Sequence, residues 1–332
     1  MAVELSLETP VATTGRAPKP AARRQVVVAI DACCELEPAL AQRLGLLVLP
    51  HHARVDGQAI ELDAGRTLHH SCWPTPPQRV QPEPHTVGAL APRYEEVLRE
   101  GMSVLALHWP ERLDPAARVA LAARSILLAA PPRGADGARV AVYELAAVGH
   151  GFSFLVEVAA RGAAAGMTLG QIAMLLDRAQ PTVRGCYLTS RGDPAPALRG
   201  PEHSPLTTRF AHEALWALDA GDGRLVCQAR GWKLARGLFG PDGPLAGQSP
   251  SRVTASSPRL LEQLNAGRTV AGLPPLEAEP GGTGLRAVFP RGCVELAFLP
   301  DTARIAAISD VIRRIDRPAP APVRGVRQRG GL

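Results

Sequence analysis

The chain has 332 residues, of which 46% are hydrophobic and 20% are charged, and its net charge is +6. A single hydrophobic core usually stops growing near about 250–300 residues, so this length predicts two domains. Many basic residues lie near the two ends, and no Lys/Arg run is interleaved with aromatic residues. A nucleic-acid partner is therefore not expected.

The N-terminal segment and the cysteines indicate the compartment. The first 24 residues lack the apolar stretch of a secretory signal. No uncharged apolar run approaches about 18 residues, so no transmembrane segment is predicted. The six cysteines are scattered, as is usual for reduced thiols in the cytosol. Together these features predict a cytoplasmic protein.

The first half of the chain alternates strand and helix signals. The β-branched run Gln25–Ile30 is typical of a strand that is buried on both faces. Asp56-Gly57 predicts a hairpin turn, and Thr168-x-x-Gln171 predicts a helix start with a capping box. The other predicted strands are Leu46–Leu49, Ala53–Val55, Gln58–Leu62, Val104–Leu107 and Arg139–Tyr143. The predicted helices are Leu36–Leu44, Thr86–Glu100, one after Asp114-Pro115, Val148–Ala165 and Leu169–Ala179. A Pro-rich loop is predicted from Trp73 to Pro84.

The second half mixes hairpins with helices, which indicates a smaller α+β domain. The predicted strands are Arg184–Leu188, Ala214–Leu218, Leu225–Ala229, Leu285–Phe289 and Cys293–Leu299, the last two as a hairpin over Pro290–Gly292. The predicted helices are Trp232–Phe239, Pro258–Asn265 and one from Asp301 to Ile315. The fold class is therefore α/β, an N-terminal α/β/α domain with a mostly parallel sheet plus a smaller C-terminal α+β domain. We expect these domains at 25–182 and 183–315, between disordered tails at 1–24 and 316–332.

Several segments, taken in order, resemble the DegV family, two-domain bacterial proteins that bind a fatty acid in the interdomain cleft. Val26–Pro50 (VVVAIDACCELEPALAQRLGLLVLP) is similar to the strand, Asp-Ser-Thr-Ala-Asp-Leu loop, helix and Val-Val-Pro strand of that family. Arg54–Leu62 resembles its Asp-Gly hairpin, and Val142–Val156 (VYELAAVGHGFSFLV) its Gly-x-Gly-Phe-Leu-Val-like run. Tyr94–Leu98 stands where the family has a similar helix, and Leu215–Leu225 resembles a hairpin of the family. The resemblance implies the same fold and a long-chain fatty acid or related lipid as ligand.

The chain departs from the family at the residues that hold the fatty-acid carboxylate. The resemblance implies a Thr-Ser pair in the Pro-rich loop, where this chain reads Gln81-Pro82-Glu83-Pro84-His85. It also implies a Ser-x-x-x-Ser-Gly-Thr turn, where Asp114 takes the place of the second serine and Pro115 removes an N–H donor. A lone carboxylate at Asp114 would repel a carboxylate ligand by about 4 kcal/mol at about 4 Å.

Six residues are candidate ligand contacts. Cys33 follows the first strand near the expected cleft, and His108 ends a parallel strand, where α/β proteins bind ligands. Gln81, Pro82 and His85 stand in the segment that lost the hydroxyl pair, and Asp114 stands in the second one. Each also has a structural interpretation: Asp114 as a helix cap, Cys33 as an inert core residue, and the histidines as ordinary core or loop residues.

No catalytic or metal motif is recognised. His51-His52 and His69-His70 with Cys72 hint at zinc, but adjacent histidines on a strand point to opposite sides, so one of each pair at most can converge. Neither a phosphate-binding P-loop nor a nucleophile elbow occurs. We therefore predict no metal, no cofactor and no enzyme activity.

The sequence leaves two main functions open. The first is a carrier of a fatty acid or another apolar acyl ligand, in which the carboxylate-anchoring residues of the family are replaced. The second is a ligand-free scaffold or regulatory protein that acts through a protein partner. The resemblance implies a fatty acid kinase-like partner. A metal enzyme at the His51/His69 region is a third alternative.

Overall fold

A four-stranded parallel sheet forms the first half of the computed structural model. Its order is β2-β1-β6-β7, with β1 at Val26–Asp31, β2 at Leu47–Leu49, β6 at Ser103–His108 and β7 at Val140–Glu144. The structure describes residues 25–34, 36–73, 79–83, 85–135, 137–190, 213–219, 224–280, 285–289 and 292–315. The predicted tails, 1–24 and 316–332, lie outside the described residues.

Side chains on the two faces of this sheet alternate between two hydrophobic cores, as expected for strands buried on both sides. Helix α1 (Pro38–Leu44) packs on one face, and α2 (Val87–Arg99) and α3 (Ala116–Ala129) pack on the other. Helix α1 ends at Gly45, which adopts the left-handed conformation with φ 61°. The sheet is therefore covered on both faces, which confirms the predicted fold class.

A small antiparallel sheet lies beside the parallel one, in the order β4-β3-β5. Strands β3 (His51–Val55) and β4 (Gln58–Leu62) form the predicted hairpin, and Asp56 and Gly57 take the positive φ values that its turn needs. Strand β5 (Val80–Glu83) was predicted as loop; its pairing with β3 outweighs its proline, because β5 is an edge strand. Pro84 lies outside the described residues.

Helix α4 (Gly149–Ala164) lies between the parallel sheet and the second large sheet. Eleven of its sixteen residues are buried, and it contacts β1 on one side and two strands of the second sheet on the other. Helix α5 (Leu169–Ala179) follows it and begins with the predicted capping box of Thr168 and Gln171. A helix that is apolar nearly all round is a core helix, so α4 joins the two halves.

The second sheet has six strands in the order β10-β9-β8-β13-β11-β12. These strands are β8 (Arg184–Thr189), β9 (Glu213–Leu218), β10 (Leu225–Gly231), β11 (Arg252–Ala255), β12 (Glu279–Pro280) and β13 (Val294–Phe298). The helices of this half are α6 (Leu234–Gly237), α7 (Pro258–Val270), α8 (Leu285–Val288) and α9 (Thr302–Ile315). All strand pairs are antiparallel except β11 with β12.

Three expectations for this half need correction. Leu285–Val288 is a short helix rather than a strand, and β13 pairs with β8 and β11 instead of forming a hairpin with it. A segment of four residues is too short to show a periodicity that separates strand from helix. The helix predicted at Trp232–Phe239 is limited to α6, and strands β11 and β12 were not predicted. Pro290, Arg291 and residues 221–223 lie outside the described residues, and the domain division at residue 182 stays a prediction.

None of the helices in the part of the chain that the structure describes has both the length and the apolar character that a membrane span requires.

Candidate functional site

The carboxyl ends of β1 and β6 form the point where the parallel sheet changes direction. Strand β1 lies between β2 and β6, and its connection to β2 runs through α1 on one face. The connection from β6 to β7 runs through α3 on the other face. The loops after β1 and β6 therefore separate, and the crevice between them is where open α/β sheets bind ligands.

Three buried side chains meet at this crevice, and we call Cys33, His51 and Asp114 the switch-point cluster. The Cys33 thiol donates to Asp114 Oδ2 over 3.2 Å, and His51 Nε2 lies 3.0 Å from the same oxygen. Asp114 Oδ1 accepts from the backbone N–H of Ala116 over 3.0 Å. Asp114 therefore contacts the start of α3, but it is not the predicted N-cap residue, because Pro115 takes that position and the helix begins at Ala116.

The protonation states of the cluster follow from burial and mutual contact. Burial lowers the pKa of the His51 imidazole, but the nearby Cys33 and Asp114 raise it by more, to well above its ordinary value. Burial raises the pKa of Asp114, but its bonds to His51, Cys33 and Ala116 lower it by more. Burial and the Cys34 thiol raise the pKa of Cys33 well above its ordinary value. Contact with Asp114 thus favours a protonated His51 and an ionised Asp114, and burial favours the neutral thiol of Cys33.

The expected repulsion at Asp114, about 4 kcal/mol, applies to a lone carboxylate that faces a second one. Here His51 Nε2 lies 3.0 Å from Asp114 Oδ2, and both side chains are 1% exposed. A protonated imidazole at that distance reduces the repulsion of an anion. The effect of Asp114 on a ligand head group stays a prediction.

His108 contacts Asp31, two residues before Cys33, and His85 contacts His52, the residue after His51. His108, at the end of β6, bonds through Nδ1 to Asp31 Oδ2 over 2.5 Å, and both side chains are buried. The ring of His85 lies 4.2 Å from that of His52 and 6.4 Å from that of His51. Burial, and then the neighbouring His52, lowers the pKa of His85. The Asp31 bond fixes the orientation of the His108 ring.

Of the six predicted ligand residues, the structure brings Cys33 and Asp114 into contact, and it places His85 near their partner His51. Gln81 and Pro82 lie on β5, opposite Arg54 and Ala53 of β3, and Gln81 is exposed. Their contact with a ligand, like that of the other four, stays a prediction.

A small polar cavity lies between the two halves of the chain and has a volume of about 110 Å³. It is lined by Leu36, Glu37, Leu40, His69, Gly149, His150, Ser153, Arg252, Thr254, Glu279, Pro280 and Glu295. His150 Nε2 contacts the Thr254 hydroxyl, and Glu295 Oε1 accepts from the His150 backbone N–H over 3.0 Å. Glu295 thus places a carboxylate at the N-terminus of α4, where a helix favours negative charge.

A larger apolar groove runs between α4 and α9, and we call it the α4–α9 groove. Its volume is about 580 Å³. Its lining residues are Phe154, Glu157, Val158, Arg161, Gly162, Leu175, Ser251, Arg252, Leu299, Pro300, Asp301, Thr302, Ile305, Ala306 and Ser309. Arg252 lines both this groove and the polar cavity.

Sequence reasoning missed several residues of these sites. His51 was paired with His69 and Cys72 instead of with Cys33 and Asp114. A signal was available, because Cys33, His51 and Asp114 each follow the end of a predicted parallel strand, and such ends meet at one edge of a sheet. Arg252 and Glu295 carried no comparable signal, since the second sheet's strand order cannot be read from turn residues alone.

Proteins of known family and known structure share this architecture. The family model described as "Uncharacterised protein, DegV family" matches residues 25–191. No curated protein matches the chain.

Solved structures with the same fold include a DegV family protein from Thermus thermophilus described for fatty acid binding, at 20% identity and a TM-score of 0.55. The match covers 83% of this chain and 100% of that one. A fatty acid binding DegV family protein from Streptococcus agalactiae gives 14% identity and a TM-score of 0.59, over 83% and 99% of the two chains. The Fatty Acid Kinase (Fak) B3 protein of Streptococcus pneumoniae, loaded with linoleic acid, gives 13% and 0.56, over 83% and 100%.

At these identities the likeness to solved structures shows a shared fold. The family model covers half of the chain, and it ends just after β8, which opens the second sheet. The matched half contains the parallel sheet, its switch point and the central helix α4. This chain belongs to the DegV family.

Proposed function

We propose that this chain is a lipid carrier that binds a long-chain fatty acid or related acyl ligand in the α4–α9 groove, and that it acts by binding rather than by catalysis. The groove carries the proposal, because its volume of about 580 Å³ falls in the range of about 300–1,000 Å³ of small-molecule sites. Phe154, Val158, Leu175 and Ile305 give it apolar walls. The fatty-acid-bound relatives support the same ligand class.

The affinity for such a ligand should depend on its chain length. Each buried methylene contributes about 0.8 kcal/mol. Two additional carbons therefore contribute about 1.6 kcal/mol, or roughly 15-fold in affinity, until the groove is full. A titration of the delipidated chain with saturated fatty acids of increasing length should show this slope and then a plateau. Equal affinity for a short and a long chain would contradict an apolar groove as the site.

We propose that Arg252 pairs with the ligand's carboxylate. The three side chains of the switch-point cluster are buried and contact one another. Arg252, by contrast, is exposed and lines the groove. The other arginine of the groove, Arg161, pairs with Glu157 over 3.2 Å. Within the described residues no carboxylate forms an ion pair with Arg252. A guanidinium is well suited to a carboxylate, which it can bind through two parallel hydrogen bonds.

Two matched substitutions on α9 test the groove. Ala306 lines it, and Ala307 is the next residue and is exposed on the same helix. Ala306→Trp should fill the groove and lower fatty-acid affinity at least about tenfold. A tenfold loss of affinity corresponds to about 1.4 kcal/mol of lost binding free energy. Ala307→Trp should leave it unchanged. Equal behaviour of the two variants would remove the groove from the proposal.

A second pair of measurements tests the head group. Arg252→Gln should weaken the binding of a fatty acid but leave its methyl ester unaffected, because the ester has no charge for the guanidinium to pair. Arg259→Gln, an exposed arginine on α7, is the control. If Arg252→Gln changes neither ligand, the carboxylate is held elsewhere, and the predicted contacts Cys33, Gln81, Pro82, His85, His108 and Asp114 become the next candidates.

One observation favours the alternative, a scaffold or regulatory protein without a ligand. The polar cavity between the two halves measures about 110 Å³, below the range of about 300–1,000 Å³ of ligand sites. If the chain binds no fatty acid of any length, we expect it to act through a protein partner alone. For the carrier, we propose a fatty acid kinase-like protein as the partner that receives the loaded form, in keeping with the relative described as a fatty acid kinase component.

A further inference from the structure

We propose that Cys33, His51 and Asp114 form a binding site for a divalent transition metal ion, with zinc as the ion that best fits the donors. The three ligand atoms lie within 4.8 Å of one another, and all three residues are buried. Thiolate sulfur, imidazole nitrogen and carboxylate oxygen are the donors that zinc takes in proteins.

The distances between the donors fit one small ion. Zinc bonds of about 2.0–2.3 Å in a tetrahedron place neighbouring donors roughly 3.3–3.6 Å apart. His51 Nε2 and Cys33 Sγ lie 3.0 and 3.2 Å from Asp114 Oδ2. The side chains need to separate by a few tenths of an ångström to admit the ion.

The outer contacts of the cluster orient its ligands. His51 Nδ1 lies 2.7 Å from the carbonyl oxygen of His52, and only a protonated nitrogen can bond to a carbonyl. The other nitrogen, Nε2, is then the one available to a metal, which is the usual arrangement of zinc-bound histidines. Asp114 Oδ1 is occupied by the Ala116 N–H, which leaves Oδ2 facing the other two ligands.

His51 Nε2 lacks an aligned hydrogen bond. It is buried, and its contact with Asp114 Oδ2 over 3.0 Å does not have hydrogen-bond geometry. A metal ion bound between these atoms would give the nitrogen a well-directed partner.

In the occupied site a thiolate, a neutral imidazole, a carboxylate and a divalent cation sum to zero, so metal binding leaves no net charge in the buried site. A nucleophilic Cys-His pair is a poorer fit, because Asp114 contacts both residues instead of orienting the imidazole from its far side.

The test is zinc content and cobalt spectroscopy on the full chain, without added lipid, so that failure of the carrier function has no bearing on it. After equilibration with zinc and desalting, we expect about one tightly bound zinc per chain, as in other three-ligand protein sites. Cobalt in place of zinc should give an absorption band from thiolate-to-metal charge transfer.

Cys33→Ser and His51→Gln should each lower metal affinity by at least about 100-fold and abolish the cobalt–thiolate band or the stoichiometric zinc. Cys34→Ser and His52→Gln are the matched controls, since each neighbours a ligand and His52→Gln keeps the backbone carbonyl that holds His51. Far-UV circular dichroism in chelator confirms that each variant folds. Zinc binding that is absent from the native chain, or that persists in Cys33→Ser, would overturn the site.

Discussion

Gly149→Ala tests the junction between the two halves of the chain. Gly149 is the first residue of α4 and has φ +59°, in the left-handed region. A Cβ added there would lie 2.5 and 2.6 Å from the two carboxylate oxygens of Glu295, on β13 of the second sheet. Alanine therefore meets two obstacles, one in its own backbone and one in the carboxylate that caps the helix.

The expected loss of stability is the sum of two effects. A left-handed non-glycine residue costs about 1–2 kcal/mol. Displacing Glu295 breaks its 3.0 Å bond to the His150 N–H, and a hydrogen bond to a charged group contributes about 1.5–3 kcal/mol. Gly149→Ala should therefore lower the free energy of unfolding by about 2.5–5 kcal/mol.

Urea denaturation followed by circular dichroism measures this loss, with Gly170→Ala as the control. Gly170 lies in α5, has no atom within 4 Å of an added Cβ and does not require positive φ. Its replacement should be neutral or stabilise by up to about 1 kcal/mol. A free energy of unfolding for Gly149→Ala within about 0.5 kcal/mol of the wild-type value would refute the junction as described.

Two further predictions concern buried basic groups. Burial lowers the pKa of His150 from 6.5 to about 4, so stability should be intact above about pH 6.5 and fall by up to about 3 kcal/mol as the pH drops to about 4. His150→Gln should flatten that pH dependence, and an unchanged slope would assign it to other groups. Arg268→Ala should cost about 2 kcal/mol in urea denaturation, because Arg268 Nε donates to the Pro274 carbonyl over 2.8 Å and its guanidinium covers the Phe239 ring. Arg259→Ala, exposed on the same helix, should cost less than about 0.5 kcal/mol.

The sequence predicted local structure best where one short signal determines the backbone. The hairpin at Asp56-Gly57 and the capping box of Thr168 and Gln171 each depend on residues a few positions apart, and both are confirmed. The predictions for β5 and α8, a loop and a strand, were wrong, because the neighbours that a short segment packs against decide its secondary structure. Those neighbours are distant in sequence and carry no turn or periodicity signal.

The candidate site was predicted only in part for the same reason. Cys33 was placed near the expected cleft from its position after the first strand, and Asp114 from the resemblance to the family's carboxylate-binding turn; the two lie within hydrogen-bond distance. The partner that determines their chemistry, His51, was assigned to a different group, because spacing along the chain favoured His69 and Cys72. The charge balance around Asp114 depends on that contact, which the sequence did not predict.

Native mass spectrometry of the gently purified chain, followed by lipid extraction, tests the carrier function most directly. We expect a species heavier than the apo chain by the mass of one acyl lipid, and we expect that lipid to have a carboxylate head group. Ala306→Trp should lack this species, and Ala307→Trp should retain it. An apo mass that remains unchanged after incubation with fatty acids of several lengths would contradict the carrier and direct the search to a protein partner.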